Sequence, residues 1–160
     1  MKNFFLNSSE SKNFLLKKKI LGLCVTEGRY SIADLSRELN TSIPTTTKLV
    51  EELIEEGFLE DLGKLDTNGG RRPNIYGLKA SAGYFIGTDV RRHHVSIAIA
   101  DFRGDIVDYI DSIPFKVESS ADSFRNLCSI IKDNIRKFGI KEEEVLAYGL
   151  NLSGRVNNET

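Results

Sequence analysis

Asn40-Thr41-Ser42 is all that separates two amphipathic helical segments, and a connection this short allows few ways of crossing two helices. Before it, Ser31 opens Ser-Ile-Ala-Asp, a serine cap with an acid three residues on, and Ile32, Leu35 and Leu39 share one face of a short helix. After it, Ser42 caps a third helix whose first turn holds Pro44, where a missing amide hydrogen does little harm. In that helix Leu49, Val50, Leu53 and Ile54 are expected inward, and Lys48, Glu51, Glu52, Glu55 and Glu56 outward, with Gly57 as the stop. A first helix precedes both over 12–27, with Leu16, Ile20, Leu23 and Cys24 as its apolar stripe and Gly28 as its end. Phe58-Leu59 and Asn74 to Leu78 read as the arms of a β-hairpin, with Asp66-Thr67-Asn68-Gly69-Gly70 in its long tip. Three helices, a tight turn and a hairpin make the winged helix-turn-helix plan, whose third helix lies in the major groove of DNA.

The side chains at the start of that helix suit such a role. Thr41, Ser42, Thr45, Thr46, Thr47 and Lys48 offer short hydroxyls and one cation where the positive end of the helix dipole favours phosphate. Taken alone, they would be an ordinary capped and solvated first turn. The hairpin tip tilts the reading: Gly69 and Gly70 permit close backbone approach, and Arg71 and Arg72 carry planar forks suited to phosphates or a narrow minor groove. These ten residues form the candidate DNA-reading set.

A formal net charge of -1 gives no global electrostatic case for nucleic acid, so the DNA reading rests on local arrangement. No apolar run approaches the roughly 18 residues needed to span a bilayer, and the N-terminus lacks a signal-peptide pattern, which leads us to expect a cytoplasmic protein with no membrane partner. Cys24 and Cys128 lie far apart among apolar neighbours and read as free thiols.

Near Gly83 the pattern changes. Residues 84–89 and 94–101 read as strands, Phe102-Arg103-Gly104-Asp105 as a turn with Asp101 stabilising it, and 106–115 as a third strand. Ser119 or Ser120 starts a helix with Phe124, Leu127, Cys128, Ile131, Ile135 and Phe138 on one face, closed by Gly139, and 145–153 reads as another strand. The order strand, strand, strand, helix, strand implies an α/β layer. The adjacent His93 and His94 point to opposite faces of a strand, which is poor geometry for one metal, and Glu142-Glu143-Glu144 reads as a solvated loop.

The whole chain resembles the ROK family, which holds both sugar-responsive repressors and sugar kinases. The resemblance is carried by Ser42-Ile-Pro-Thr-Thr-Thr-Lys-Leu-Val, the Gly-Gly-Arg-Arg-Pro wing, Gly87-Thr-Asp-Val, Ile-Ala-Asp-Phe-Arg-Gly-Asp-Ile-Val and Tyr148-Gly-Leu-Asn-Leu-Ser-Gly-Arg-Val. It implies an α+β and α/β chain: a winged head over 1–80, then over 81–160 the first part of an actin-like, ribonuclease-H-type ATPase fold. The family's sugar-binding aspartate and its structural zinc site have no counterpart in these 160 residues, so neither a catalytic residue nor a cofactor is expected within them. Kinase members carry an Asp-x-Gly-x-Thr phosphate loop after the first strand. Here the matching stretch is Asp89-Val90-Arg91-Arg92-His93, with bulky or charged residues at the glycine and threonine positions. Arg91 and Arg92 are read as solvated hairpin ends in preference to phosphate ligands. The expected function is a DNA-binding repressor of carbohydrate-utilisation genes, not an enzyme, acting as a homo-oligomer on double-stranded operator DNA and answering to a sugar or sugar phosphate. The alternative is a ROK-type sugar kinase with a vestigial head.

Overall fold

The computed structural model describes residues 11–64 and 73–152, in two compact units that divide between Ala82 and Gly83. In the first unit, helix α1 (Lys12–Glu27) leads through strand β1 (Arg29–Ser31) into α2 (Ile32–Leu39) and α3 (Ile43–Glu55). Strands β2 (Leu59–Lys64) and β3 (Asn74–Leu78) and a short 3-10 turn (Ala80–Ala82) follow. Each helix starts on a serine whose hydroxyl accepts a backbone amide of the first turn: Ser11 from Phe14, Ser31 from Asp34 and Ser42 from Thr45. The Ser31 hydroxyl also donates to Asp34 at 2.6 Å. Helix α1 ends on Gly28 at φ 82°, and α2 ends on Asn40 at φ 51°, a left-handed position that asparagine tolerates better than most side chains.

The core of this unit gathers Ile20, Leu21 and Cys24 of α1, Leu35 and Leu39 of α2, Leu49, Val50 and Leu53 of α3, and Phe58, Leu59, Ile75 and Leu78. Helix α1 is rotated from the expected stripe. Ile20 and Cys24 are inside as expected, but their buried companions are Lys17 and Leu21, while Leu16 and Leu23 are half-buried. The hairpin gains a third strand that the sequence reading did not contain. Tyr30 pairs with Tyr76 and Ser31 with Ile75, giving an antiparallel sheet in the order β1-β3-β2. Three residues are too few to display a period, so β1 is defined by its partner strand.

In the second unit, β4 (Tyr84–Val90), β5 (His94–Asp101) and β6 (Ile106–Pro114) form an antiparallel meander. Helix α4 (Ala121–Lys137) then crosses over to β7 (Val145–Leu152), which pairs parallel with β4. The order is β6-β5-β4-β7, so the strand, strand, strand, helix, strand reading holds. Alternate residues of β4 and β5 supply the core: Ile86, Ile97 and Ile99 join Ile135, Ile140 and Val145, and Val90 and Val95 join Phe115 and Leu127. Asp101 closes the β5–β6 turn as expected, its Oδ1 accepting the amides of Arg103 at 2.8 Å and Asp105 at 3.1 Å, with Gly104 at φ 91°.

Candidate nucleic-acid interface

The turn between α2 and α3 is closed by backbone and hydroxyl together. Thr41 donates its amide to the Ser36 carbonyl at 3.1 Å, and the Ser36 hydroxyl donates back to the Thr41 carbonyl at 2.5 Å. Ser42 then starts α3, and its carbonyl accepts the Thr46 amide at 3.0 Å and the Thr46 hydroxyl at 3.2 Å. Such local side-chain bonds suit serine and threonine to a helix start.

The six residues expected to read DNA from this helix divide into two groups. Ser42, Thr45 and Lys48 are exposed, and Thr41 and Thr47 are half-exposed. Thr46 is a correction: its side chain is 0% exposed, and its Oγ1 lies 2.8 Å from that of Thr41. It is an internal strut of the motif, not a surface ligand. Helical spacing carried the signal, because Thr46 stands three, four and seven residues before the buried Leu49, Val50 and Leu53. Conversely, Ile43 was absent from the expected set, yet it is 49% exposed beside Pro44 and Thr45. The wing residues Gly69, Gly70, Arg71 and Arg72 lie outside the described residues.

Behind the reading surface, α3 is tied to α1 by charge. Lys17 of α1 is 9% exposed, with its Nζ 2.8 Å from a Glu52 oxygen and 2.6 Å from a Glu56 oxygen. Glu52, expected on the solvent face, is half-buried in this pair. Burial alone would lower the Lys17 pKa, but the two carboxylates outweigh it and hold the ammonium above its ordinary value. The hydrogen bond from Lys17 in turn pulls Glu52 below the usual carboxylate range. Lys48 stays exposed, 4.0 Å from Glu52, and no acid stands in the first turn of α3. The helix thus offers its neutral and cationic end outward, while Glu52 and Glu56 near its other end are held by Lys17 and Glu51 and Glu55 stay exposed.

In the second unit, both carboxylate oxygens of Asp89 are engaged. One carboxylate oxygen accepts from Arg91 Nε and the other from Asn151 Nδ2, both at 2.8 Å, and these bonds, that of Arg91 first, lower its pKa. Val90 is buried, and the Arg91 amide donates to the His94 carbonyl at 2.9 Å, closing a tight turn over the stretch that matches the kinase phosphate loop. Arg91 is an ion-pair partner of Asp89, and Arg92 is exposed.

Residues 15–60 match the family model described as winged helix-turn-helix DNA-binding. The chain is 25% identical over 145 residues to a putative xylose repressor of a Caldicellulosiruptor species, covering 90% of this chain and 36% of that protein. It is 32% identical over 93 residues to the xylose repressor of Bacillus spizizenii, covering 58% of this chain and 23% of that protein. Among solved structures it is similar to a ROK family transcriptional regulator, described as a homolog of the E. coli MLC protein. That match has a TM-score of 0.55 at 19% identity and covers 81% of this chain and 33% of the other. The chain therefore spans about a third of the length of the curated relatives that it matches over most of its own length. The first unit has the winged helix-turn-helix plan that the matched family model describes, and the resemblance to ROK regulators read from the sequence motifs is borne out in the fold, beside relatives named as xylose repressors.

Proposed function

We propose that this chain is the DNA-binding head and the opening part of the sensor domain of a sugar-responsive transcriptional repressor. The observation that carries it is the tandem itself: a winged head whose third helix presents a neutral and cationic tip, followed by a sheet unit of the ROK regulator fold. The full protein meets double-stranded operator DNA as a homo-oligomer, since helix-turn-helix heads usually meet paired half-sites through two-fold symmetry. A sugar or sugar phosphate bound by the sensor changes the affinity or the spacing of the heads. Relatives named as xylose repressors support a pentose as the first effector to try. The paired Asp89 and the closed turn at Arg91 favour a regulator over a sugar kinase.

The test is binding of the full-length protein to its own upstream intergenic DNA across a salt series, with and without xylose, beside an Arg71→Ala/Arg72→Ala variant. Selective binding that weakens with salt, with a shallower slope in the variant and release by sugar, supports the reading. Equal, weak binding to every duplex, together with sugar-dependent ATP turnover, would replace it with the kinase.

A further inference from the structure

The hydroxyls at the tip of α3 are largely spent on one another and on backbone carbonyls. Thr47 Oγ1 donates to the Ile43 carbonyl at 2.9 Å, and Thr46 Oγ1 donates to the Ser42 carbonyl while lying 2.8 Å from Thr41 Oγ1. Ser42 Oγ and Thr45 Oγ1 also lie 2.8 Å apart, so one proton of that pair is used internally. What the threonines keep for an outside partner is chiefly their methyl groups and oxygen lone pairs. Around them stand the exposed Ile43 side chain and the exposed Pro44 ring, with Lys48 one turn further along. The leading end of the helix is thus a small apolar cap with a cation behind it, not a row of hydrogen-bond donors.

Apolar groups exposed to water at a helix tip carry a free-energy cost that meeting apolar surface relieves. In the major groove the one apolar group on a base edge is the C5 methyl of thymine. We infer that Ile43, with the Thr45 methyl beside it, is a specificity determinant that reads thymine methyl groups in the operator. The inference rests on the DNA-binding reading of this head. Lys48 supplies the sequence-independent attraction to phosphate, and Ile43 and Thr45 supply the choice of base.

Deoxyuridine tests this directly, because it removes the methyl and leaves every hydrogen-bonding group of thymine in place. A duplex enriched from a random library by the full-length protein is resynthesised with single dT to dU replacements. At one or more positions the affinity should fall about fourfold, the worth of one buried methyl. Ile43→Ala should bring the dT/dU ratio at that position toward one while leaving the salt slope unchanged, Ile43→Val should keep it, and Thr45→Ser should reduce it. Selective binding that is indifferent to dU at every position, or a ratio unchanged in Ile43→Ala, overturns the methyl reading and leaves the DNA-binding function standing. Failure to enrich any duplex overturns both.

Discussion

The hydroxyl of Thr46, wholly buried, lies 2.8 Å from the hydroxyl of Thr41 across the turn that joins the two helices of the reading motif. The pair fixes α3 at its point of departure, because Thr46 belongs to the helix and Thr41 to the turn before it. Thr46→Val keeps the shape and removes the hydroxyl, and with it the bonds to Thr41 and to the Ser42 carbonyl, so it should destabilise the head by about 1–3 kcal/mol, the net worth of two such bonds. Thr46→Ser should cost less in hydrogen bonding. Amide hydrogen exchange along α2 and α3 in the full-length protein reads the change, and unaltered protection in Thr46→Val would show that the pair holds nothing.

Lys17 and Glu52 make a second tie. Lys17→Met removes the cation and leaves two carboxylates together, so the head should lose about 2 kcal/mol at neutral pH, less than a fully buried pair because both acids keep contact with water. The folded pKa of Glu52 is depressed, so its contribution is full above the ordinary value of 4.5 and is lost as pH falls below it through the folded value. Lys17, raised from 10.5, contributes fully below that value and loses its contribution as pH rises through the folded pKa. Protection of α1 and α3 should therefore fall more steeply below about pH 4.5 in the wild type than in Lys17→Met, and parallel profiles would refute the coupling.

Two backbone positions discriminate between side chains. Asn40 sits at φ 51°, where Asn40→Gly should be neutral or slightly favourable and Asn40→Val should cost at least about 1–2 kcal/mol. At Gly77 a Cβ would stand 2.8 Å from both the Gly28 carbonyl oxygen and a Leu62 methyl; in Gly77→Ala the exposed Leu62 side chain can turn aside, but the Gly28 backbone that leads into β1 must shift. We expect a loss of about 1–3 kcal/mol from overpacking, seen as faster exchange in β1 and β3. A Gly77→Ala protein as well protected as the wild type would contradict the close approach.

The two thiols should differ in reactivity. Cys24 is buried in the head, and desolvation pushes its pKa up to about 11, so the thiolate is scarce at neutral pH. Cys128 is half-buried on α4. Alkylation of the native protein at pH 7.5, followed by peptide mass spectrometry, should label Cys128 first and Cys24 only on unfolding. Equal rates would count against the packed α1 face.

By itself the sequence determined the head's plan and the order of elements in the second unit. Helix periods, serine caps at Ser31 and Ser42, and stops at Gly28, Gly57 and Gly139 are local physics that needs no distant partner. It also supplied the departure from the kinase pattern, at Arg91 and His93, where that pattern carries glycine and threonine. Tertiary structure decided what depends on residues far apart in the chain. Lys17 is buried because Glu52 and Glu56 arrive from another helix, β1 is a strand because β3 lies beside it, and Asp89 gains a second partner because β7 brings Asn151 to it. It also exchanged the roles of two neighbours at the tip of α3: Thr46, read as a DNA ligand, faces the core, while Ile43, read as nothing, faces outward. A polar residue can be buried once its hydroxyl is satisfied, and an apolar one can be exposed where the surface has another use, so polarity alone could not assign them.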